Sequence, residues 1–179
     1  MYDYIFYLGL EGAIVLVIGA AWPDKKTSHP TQSIKNWFLA LGGLVMLTYS
    51  ILNYLYHDGA IFFVFLQGLV NVASILMMAN VKDKIDVPVI SVSALALVIW
   101  SLYLFEGYST ILFVLGLAGI GLGYAMDGGT FRRNFALLLG SILIAWFSYL
   151  DQSWIFFWLN VFFALFSAYY SWKMLPKKV

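Results

Sequence analysis

Apolar residues run along this chain in long stretches that are separated by short polar segments. The stretches cover residues 4–22, 36–56, 60–79, 87–105, 108–126, 134–150 and 153–174. Each holds roughly 20 residues, enough for an α-helix rising about 1.5 Å per residue to cross the ~30 Å hydrocarbon core of a bilayer. Turn-forming and charged residues fill the intervals between them. The pattern predicts an all-α integral membrane protein with seven transmembrane helices.

Two observations exclude the other broad fold classes. A membrane β-barrel would alternate polar and apolar residues, whereas residues 14–18 (IVLVI) are apolar without interruption. A water-soluble domain is excluded because 63% of the chain is hydrophobic and only 11% is charged. The bilayer is therefore the first expected partner.

Basic residues fall on one side of the predicted helices only. They are Lys25, Lys26, Lys35, Lys82, Lys84, Arg132, Arg133, Lys173, Lys177 and Lys178. The opposite side carries Asp3, Asp58, Glu106 and Asp151 and no basic residue. By the positive-inside rule, we expect a multi-pass protein of the cell membrane with its N-terminus outside and its C-terminus in the cytoplasm.

The composition also limits the chemistry. The net charge of +1 argues against a nucleic-acid partner. With no Cys and two His, a metal centre or a thiol nucleophile is not expected. No nucleophile with an adjacent base and no paired carboxylates are visible at workable depth. We therefore expect neither an enzyme nor a bound cofactor.

Three short strings recur in the same order along the chain. They are residues 8–12 (LGLEG) with 115–119 (LGLAG), 36–42 (NWFLALG) with 134–140 (NFALLLG), and 61–63 (IFF) with 155–157 (IFF). Ordered matches of this kind indicate an internal duplication. One helix lies between the two triplets, so that both start from the same side as parallel repeats. We expect two three-helix bundles joined by a linker helix (3+1+3), with bounds 1–84, 85–107 and 108–179.

This arrangement resembles the SWEET and Pnu-type superfamily of small transporters, over nearly the whole chain. The first triplet is more similar to the Pnu-type vitamin transporters, whose best-known members carry nicotinamide riboside. The similarity rests on Glu11 in helix one, on Asn36, Trp37 and Phe38 at the entry to helix two, and on Gln67 in helix three. The Pro-Gln signature of sugar carriers is missing, because all four Pro residues are expected at helix ends or in loops.

Polar residues inside the spans are the candidate site. Glu11 is the only charge well inside a span, so we expect its side chain to face a bundle interior or a water-filled cavity. A cleaved signal peptide would have a basic leader and an uninterrupted apolar core, whereas this chain has Asp3 in the leader and Glu11 within the apolar stretch. We therefore expect the first span to be retained. Gln67 and Asn71 share one face of helix three, and Asn160 lies at a similar depth in helix seven. These side chains would bind a solute or join helices by hydrogen bonds.

Aromatic and small residues complete the candidates. Tyr49 and Trp146 could stack against a flat solute. Glycine rows in helices one and five are typical of close helix packing.

Together these features predict a carrier of a small neutral or zwitterionic polar solute, vitamin-like or nucleoside-like, working by facilitated diffusion or weak proton coupling. A SWEET-type sugar carrier and a non-transporting accessory subunit of a membrane complex are the alternatives. A homo-oligomer is left open.

Overall fold

The computed structural model describes residues 2–22, 29–126 and 130–174. This part of the chain folds into helices alone, without a strand. The helices are α1 (Tyr2–Ala21), α2 (Ile34–Tyr56), α3 (Ile61–Met78), α4 (Asp83–Tyr103), α5 (Tyr108–Ala125), α6 (Phe131–Leu150) and α7 (Trp154–Lys173), with a 3-10 turn at Pro30–Gln32. All seven α-helices are long and apolar enough to cross a membrane. The predicted helices are thus confirmed, and the bilayer follows as their surroundings.

Side-chain caps set where two of the helices begin. The Ser33 hydroxyl accepts a hydrogen bond from the Asn36 backbone N–H at the start of α2. The Thr130 hydroxyl accepts one from the Arg133 backbone N–H at the start of α6. Each cap satisfies an N–H group that the first helical turn leaves without a partner.

Helix α4 begins earlier than the apolar pattern predicts. Its first residue is Asp83, so Pro88 lies inside the helix and not at its end, where the sequence placed it. The polar segment itself starts the helix, since the Lys82 carbonyl accepts hydrogen bonds from the N–H groups of Ile85 and Asp86. The expectation for Pro88 was wrong because it placed the start of the helix at the start of the apolar stretch. The charged residues before that stretch already belong to the helix.

The chain separates into two compact units. We call Met1–Asp86 the first unit and Val87–Val179 the second unit. In the first unit α2 packs against both α1 and α3, and in the second unit α6 packs against both α5 and α7. Helix α4 begins in the one unit and continues into the other.

Glycine allows the closest helix approach in both units. In the first unit, a methyl group on Gly12 would lie 3.1 Å from the Met46 nitrogen, and one on Gly42 would lie 3.0 Å from the Leu16 nitrogen. Side chains at these positions would force α1 and α2 apart. The prediction that the glycine rows serve helix packing is confirmed.

The second unit repeats these contacts. A methyl group on Gly116 would meet Ile144, one on Gly123 would meet Leu137, and one on Gly140 would lie 2.8 Å from the Ile120 nitrogen. In the same order, they correspond to the contacts of Gly12 with Met46, Gly19 with Leu39, and Gly42 with Leu16 in the first unit. Each pair is related by the same shift in residue number along α1 and α5 and by one common shift along α2 and α6. The correspondence supports an internal duplication.

The contacts also correct the register of the repeat. The structural counterpart of Gly12 is Gly116, whereas the matching strings had paired Gly12 with Gly119. The residue that corresponds to Glu11 is therefore Leu115 and not Ala118. The string match was wrong because glycines recur at intervals of about one helical turn, so that a sequence alignment can slip by a turn without losing matches.

Candidate functional site

Helix α3 carries a buried row of polar side chains. Gln67, Asn71 and Ser74 are 3%, 5% and 5% exposed. They lie four and three residues apart, so they share one helix face, as the sequence predicted. The remaining buried residues of this helix are mainly Phe, Leu and Ala. The polar row is therefore set within an apolar core.

Asn71 ties α3 to α2. Its side-chain nitrogen donates hydrogen bonds to the Gly43 carbonyl of α2, at 2.9 Å, and to the Gln67 carbonyl one turn earlier, at 2.8 Å. These hydrogen bonds fix the orientation of the Asn71 side chain between the helices.

Gln67 differs because one of its polar atoms has no partner. The side-chain Oε1 is buried and accepts no hydrogen bond. Leaving a buried acceptor unsatisfied costs about 1–3 kcal/mol. Hydrocarbon tails supply no donor to such an atom. Among the described residues, the Gln67 oxygen therefore has no hydrogen-bond donor.

Helix α7 of the second unit has a similar polar row. Asn160 is 5% exposed and donates a hydrogen bond to the Phe156 carbonyl of its own helix, at 2.8 Å. Ser167 and Ser171 are also buried, and the Ser171 hydroxyl has no hydrogen-bond partner among the described residues. Ala164 lies four residues after Asn160, as Asn71 does after Gln67. At the position in α7 that corresponds to Asn71, the second unit therefore has an alanine, whose side chain cannot form a hydrogen bond to α6.

Two other candidates lie on α2 and α6. Tyr49 is buried in α2, whereas Trp146 in α6 is 57% exposed. Gln67, Asn71 and Tyr49 belong to the first unit, and Asn160 and Trp146 belong to the second. A layer that joins Gln67 and Asn71 with Asn160 stays a prediction.

Glu11 does not face the interior of its own bundle, and this part of the expectation was wrong. Its side chain is exposed, on the same face of α1 as Tyr7, Ile14 and Ile18. The face toward α2 is instead occupied by small residues and Leu16. Because close packing reserves that face for glycine and alanine, a long carboxylate side chain is directed away from it.

A groove of about 530 Å³ runs between α6 and α7 in the second unit. Ala145, Ala164 and Ala168 are among the residues that line it. The aromatic side chains of Trp146, Tyr149 and Phe157 complete much of the wall. A volume of this size is typical of sites for small molecules. Trp146 was a candidate from the sequence, but the groove beside it was not.

The α6–α7 turn closes one end of this groove. The rings of Tyr149, Trp154 and Phe157 contact one another, with each pair of ring centres 5.9 Å apart. Asp151 is the C-terminal cap residue of α6 and lies between Tyr149 and Trp154 in the sequence. Its carboxylate accepts a hydrogen bond from the Ser153 hydroxyl. The sequence predicts only a turn in this segment.

The Asp151 carboxylate has an unusual electrostatic environment. Burial raises the pKa of Asp151 above its usual range, the Ser153 hydrogen bond lowers it in part, and the nearby Glu106 carboxylate raises it further. Both carboxylates belong to the second unit. Its basic residues in the described ranges, Arg132, Arg133 and Lys173, lie at the opposite ends of α6 and α7. Among the described residues of the second unit, this acidic turn therefore has no basic side chain near it.

The two buried asparagines allow a matched test of what their hydrogen bonds contribute. We expect Asn71→Ala to lower the free energy of unfolding by about 1 kcal/mol, because it removes a bond between helices. Asn160→Ala should cost less, since Asn160 bonds only within α7. Thermal unfolding of the two purified variants measures the difference. Equal losses would contradict the assignment of Asn71 as the tie between α2 and α3.

Comparison with known proteins does not add a function. The chain matches no model of a known protein family, and comparisons with curated proteins and with solved structures give no significant match. The arrangement of the residues themselves must therefore support any functional proposal.

Proposed function

We propose that this protein carries a small neutral or zwitterionic polar solute across the membrane, by facilitated diffusion or weak proton coupling. The observation that supports this function best is the Gln67 oxygen, which is buried in the middle of a membrane-spanning helix and has no hydrogen-bond donor. A solute that carries hydroxyl or amide N–H groups would supply the missing donor. A lipid tail would not.

The neighbourhood of Gln67 suits such a role. Asn71, one turn along the same face, is held in place by the Gly43 carbonyl of α2. A polar group whose orientation is fixed in advance loses less entropy when a solute binds.

The resemblance to Pnu-type transporters supports a vitamin-like or nucleoside-like solute, for which nicotinamide riboside is the leading example. It rests on Glu11, on Asn36 to Phe38 and on Gln67. At this motif the Asn36 amide donates a hydrogen bond to the Pro30 carbonyl, and the Trp37 indole N–H donates one to the Thr31 carbonyl. These contacts give Asn36 and Trp37 a structural role at the start of α2.

A thermal-stability screen tests the proposal. The purified protein is heated with nucleosides, pyridine-type and thiamine-type vitamins, sugars, or amino acids. A solute that binds only the folded protein stabilises it by about 2.7 kcal/mol at a concentration of 100 times its Kd. We expect a saturable shift with one class of solute. If no class shifts the unfolding temperature, the proposal of a solute site loses its support.

The exposed position of Glu11 favours a second candidate, a protein that associates with another membrane chain or with a second copy of itself. A carboxylate on a face with Tyr7, Ile14 and Ile18 is costly against lipid, and a polar group on a neighbouring helix would reduce that cost.

The absence of cysteine makes self-association simple to test. A single cysteine in place of Ile18 should form disulfide-linked dimers in membranes if the α1 face is an interface between copies. Leu122→Cys is the matched control, because Leu122 is the exposed counterpart of Ile18 on α5. Equal cross-linking of the two variants would argue against a specific α1 interface.

A further inference from the structure

The groove between α6 and α7 combines three features that the transport proposal does not use. It is lined by apolar and aromatic side chains over about 530 Å³. Its end at the α6–α7 turn is aromatic, with Tyr149 and Phe157 both in the groove wall and in contact with Trp154. The same turn carries the Asp151 carboxylate, close enough to Glu106 for the two charges to interact.

Each feature selects for a different part of a ligand. The alanine-lined floor accepts an apolar body or chain. Aromatic faces attract cations, and the attraction rises to about 2 kcal/mol or more where water is excluded. Two neighbouring carboxylates attract a positive charge and repel a negative one.

The sequence gives no internal cation that could satisfy these carboxylates. No Lys or Arg of the chain lies in the segments between α2 and α3, between α4 and α5, or between α6 and α7. In the second unit the described basic residues start α6 or end α7, a full helix length away from the turn. A cationic ligand at this turn would therefore meet no competing basic side chain among the described residues of the second unit.

We propose that this groove is a binding site for an amphiphilic cation, with the apolar part of the ligand between α6 and α7 and its positive group at Asp151 and the surrounding aromatic rings. The site lies wholly within the second unit and is independent of the proposed solute site at Gln67. A quaternary ammonium or phosphonium head fits it best, because such a group is attracted by aromatic faces and requires no hydrogen-bond acceptor.

Binding should depend on pH in a defined direction. The ligand requires ionised Asp151, and the pKa of this carboxyl is raised, first by burial and then by Glu106. Affinity should therefore fall as the pH drops through this raised pKa, and it should do so at a higher pH than for an ordinary aspartate. The other groups at the turn are Glu106, whose charge acts in the same direction, and the uncharged Ser153 and Tyr149.

Equilibrium binding of dodecyltrimethylammonium to the full-length protein in lipid nanodiscs tests the proposal. We expect saturable binding that is at least tenfold weaker in Asp151→Asn and absent in Ala168→Phe, which fills the groove. Asp58→Asn is the matched control, because it removes one negative charge from the turn between α2 and α3. That variant should bind as the unmodified protein does. Empty nanodiscs provide the correction for partition into lipid.

Several results would overturn the proposal. It fails if no saturable binding occurs, or if Asp151→Asn and Asp58→Asn weaken binding equally. Equal binding of dodecanoate, which has the same chain length and a negative head, would show a site for acyl chains in general and would also refute it. Unfolding temperatures of all variants are measured beside the binding, so that loss of the fold is not mistaken for loss of the site. If Ala168→Phe unfolds, Ala168→Leu replaces it, with the same expected direction.

Discussion

Replacing Gly140 by alanine is expected to lower the free energy of unfolding by about 1–3 kcal/mol, as overpacking of a close contact does. The added methyl group would lie 2.8 Å from the Ile120 nitrogen and 2.9 Å from the Gly116 carbonyl oxygen. Both are backbone atoms of α5, so that no side-chain rotation can relieve the overlap. Helices α5 and α6 must move apart, and their packing along the glycine row is lost.

Gly68→Ala is the matched control for this experiment. Gly68 also lies inside a helix, α3, but a methyl group there would meet no atom within 4 Å. Since alanine favours the helix over glycine by up to about 1 kcal/mol, this variant should be neutral or slightly more stable. Thermal unfolding in one detergent measures both proteins. Equal effects of the two substitutions would contradict the close approach of α5 and α6.

Replacing Gln67 by leucine is expected to have two effects of opposite sign. The stability of the protein without solute should rise, because the change removes a buried acceptor that costs about 1–3 kcal/mol. The response to the solute should disappear, with affinity reduced at least tenfold, because the proposed hydrogen bond is gone. A glutamine that served only to join helices would give a loss of stability instead.

The measurement for Gln67→Leu is the unfolding temperature with and without the solute identified in the screen. Thr48→Val serves as the control, since Thr48 is in the same unit but its hydroxyl bonds only to the Leu44 carbonyl of its own helix. We expect Thr48→Val to keep the solute response unchanged. A Gln67→Leu protein that is less stable yet binds the solute normally would remove Gln67 from the site.

The existence and approximate length of the helices could be predicted from the sequence, because the cost of placing polar groups in hydrocarbon limits both the length and the composition of a span. Helix α4 shows where that reasoning ends. Its first turn lies in the charged segment from Asp83, since backbone hydrogen bonding continues beyond the apolar boundary.

The orientation of single side chains was harder to predict. The spacing of Gln67 and Asn71 places them on one helix face, and this could be read directly from the helical period. For Glu11 the sequence gives the depth of the residue in the span but not the direction in which its side chain points. That direction is set by the glycines of α1 that pack against α2. The exposed position of Glu11 therefore differs from the expectation.

The groove at Trp146 could not have been predicted, because it depends on how α6 and α7 diverge. The contacts among Tyr149, Trp154 and Phe157 likewise require the geometry of the turn that joins these helices. There Gln152 adopts a positive φ of 57°, a conformation that a non-glycine residue rarely adopts. Such features arise from packing between elements and leave little trace in a hydrophobicity pattern.

Solute flux into proteoliposomes is the measurement that tests the central claim most directly. The protein is reconstituted without any other subunit, and uptake of the solute found in the screen is followed at several pH values. We predict saturable uptake down the solute gradient by the unmodified protein and by Thr48→Val, and at least tenfold lower uptake by Gln67→Leu at a solute concentration well below saturation. Uptake equal to that of empty liposomes, from protein that is folded and binds the solute, would contradict a transport function.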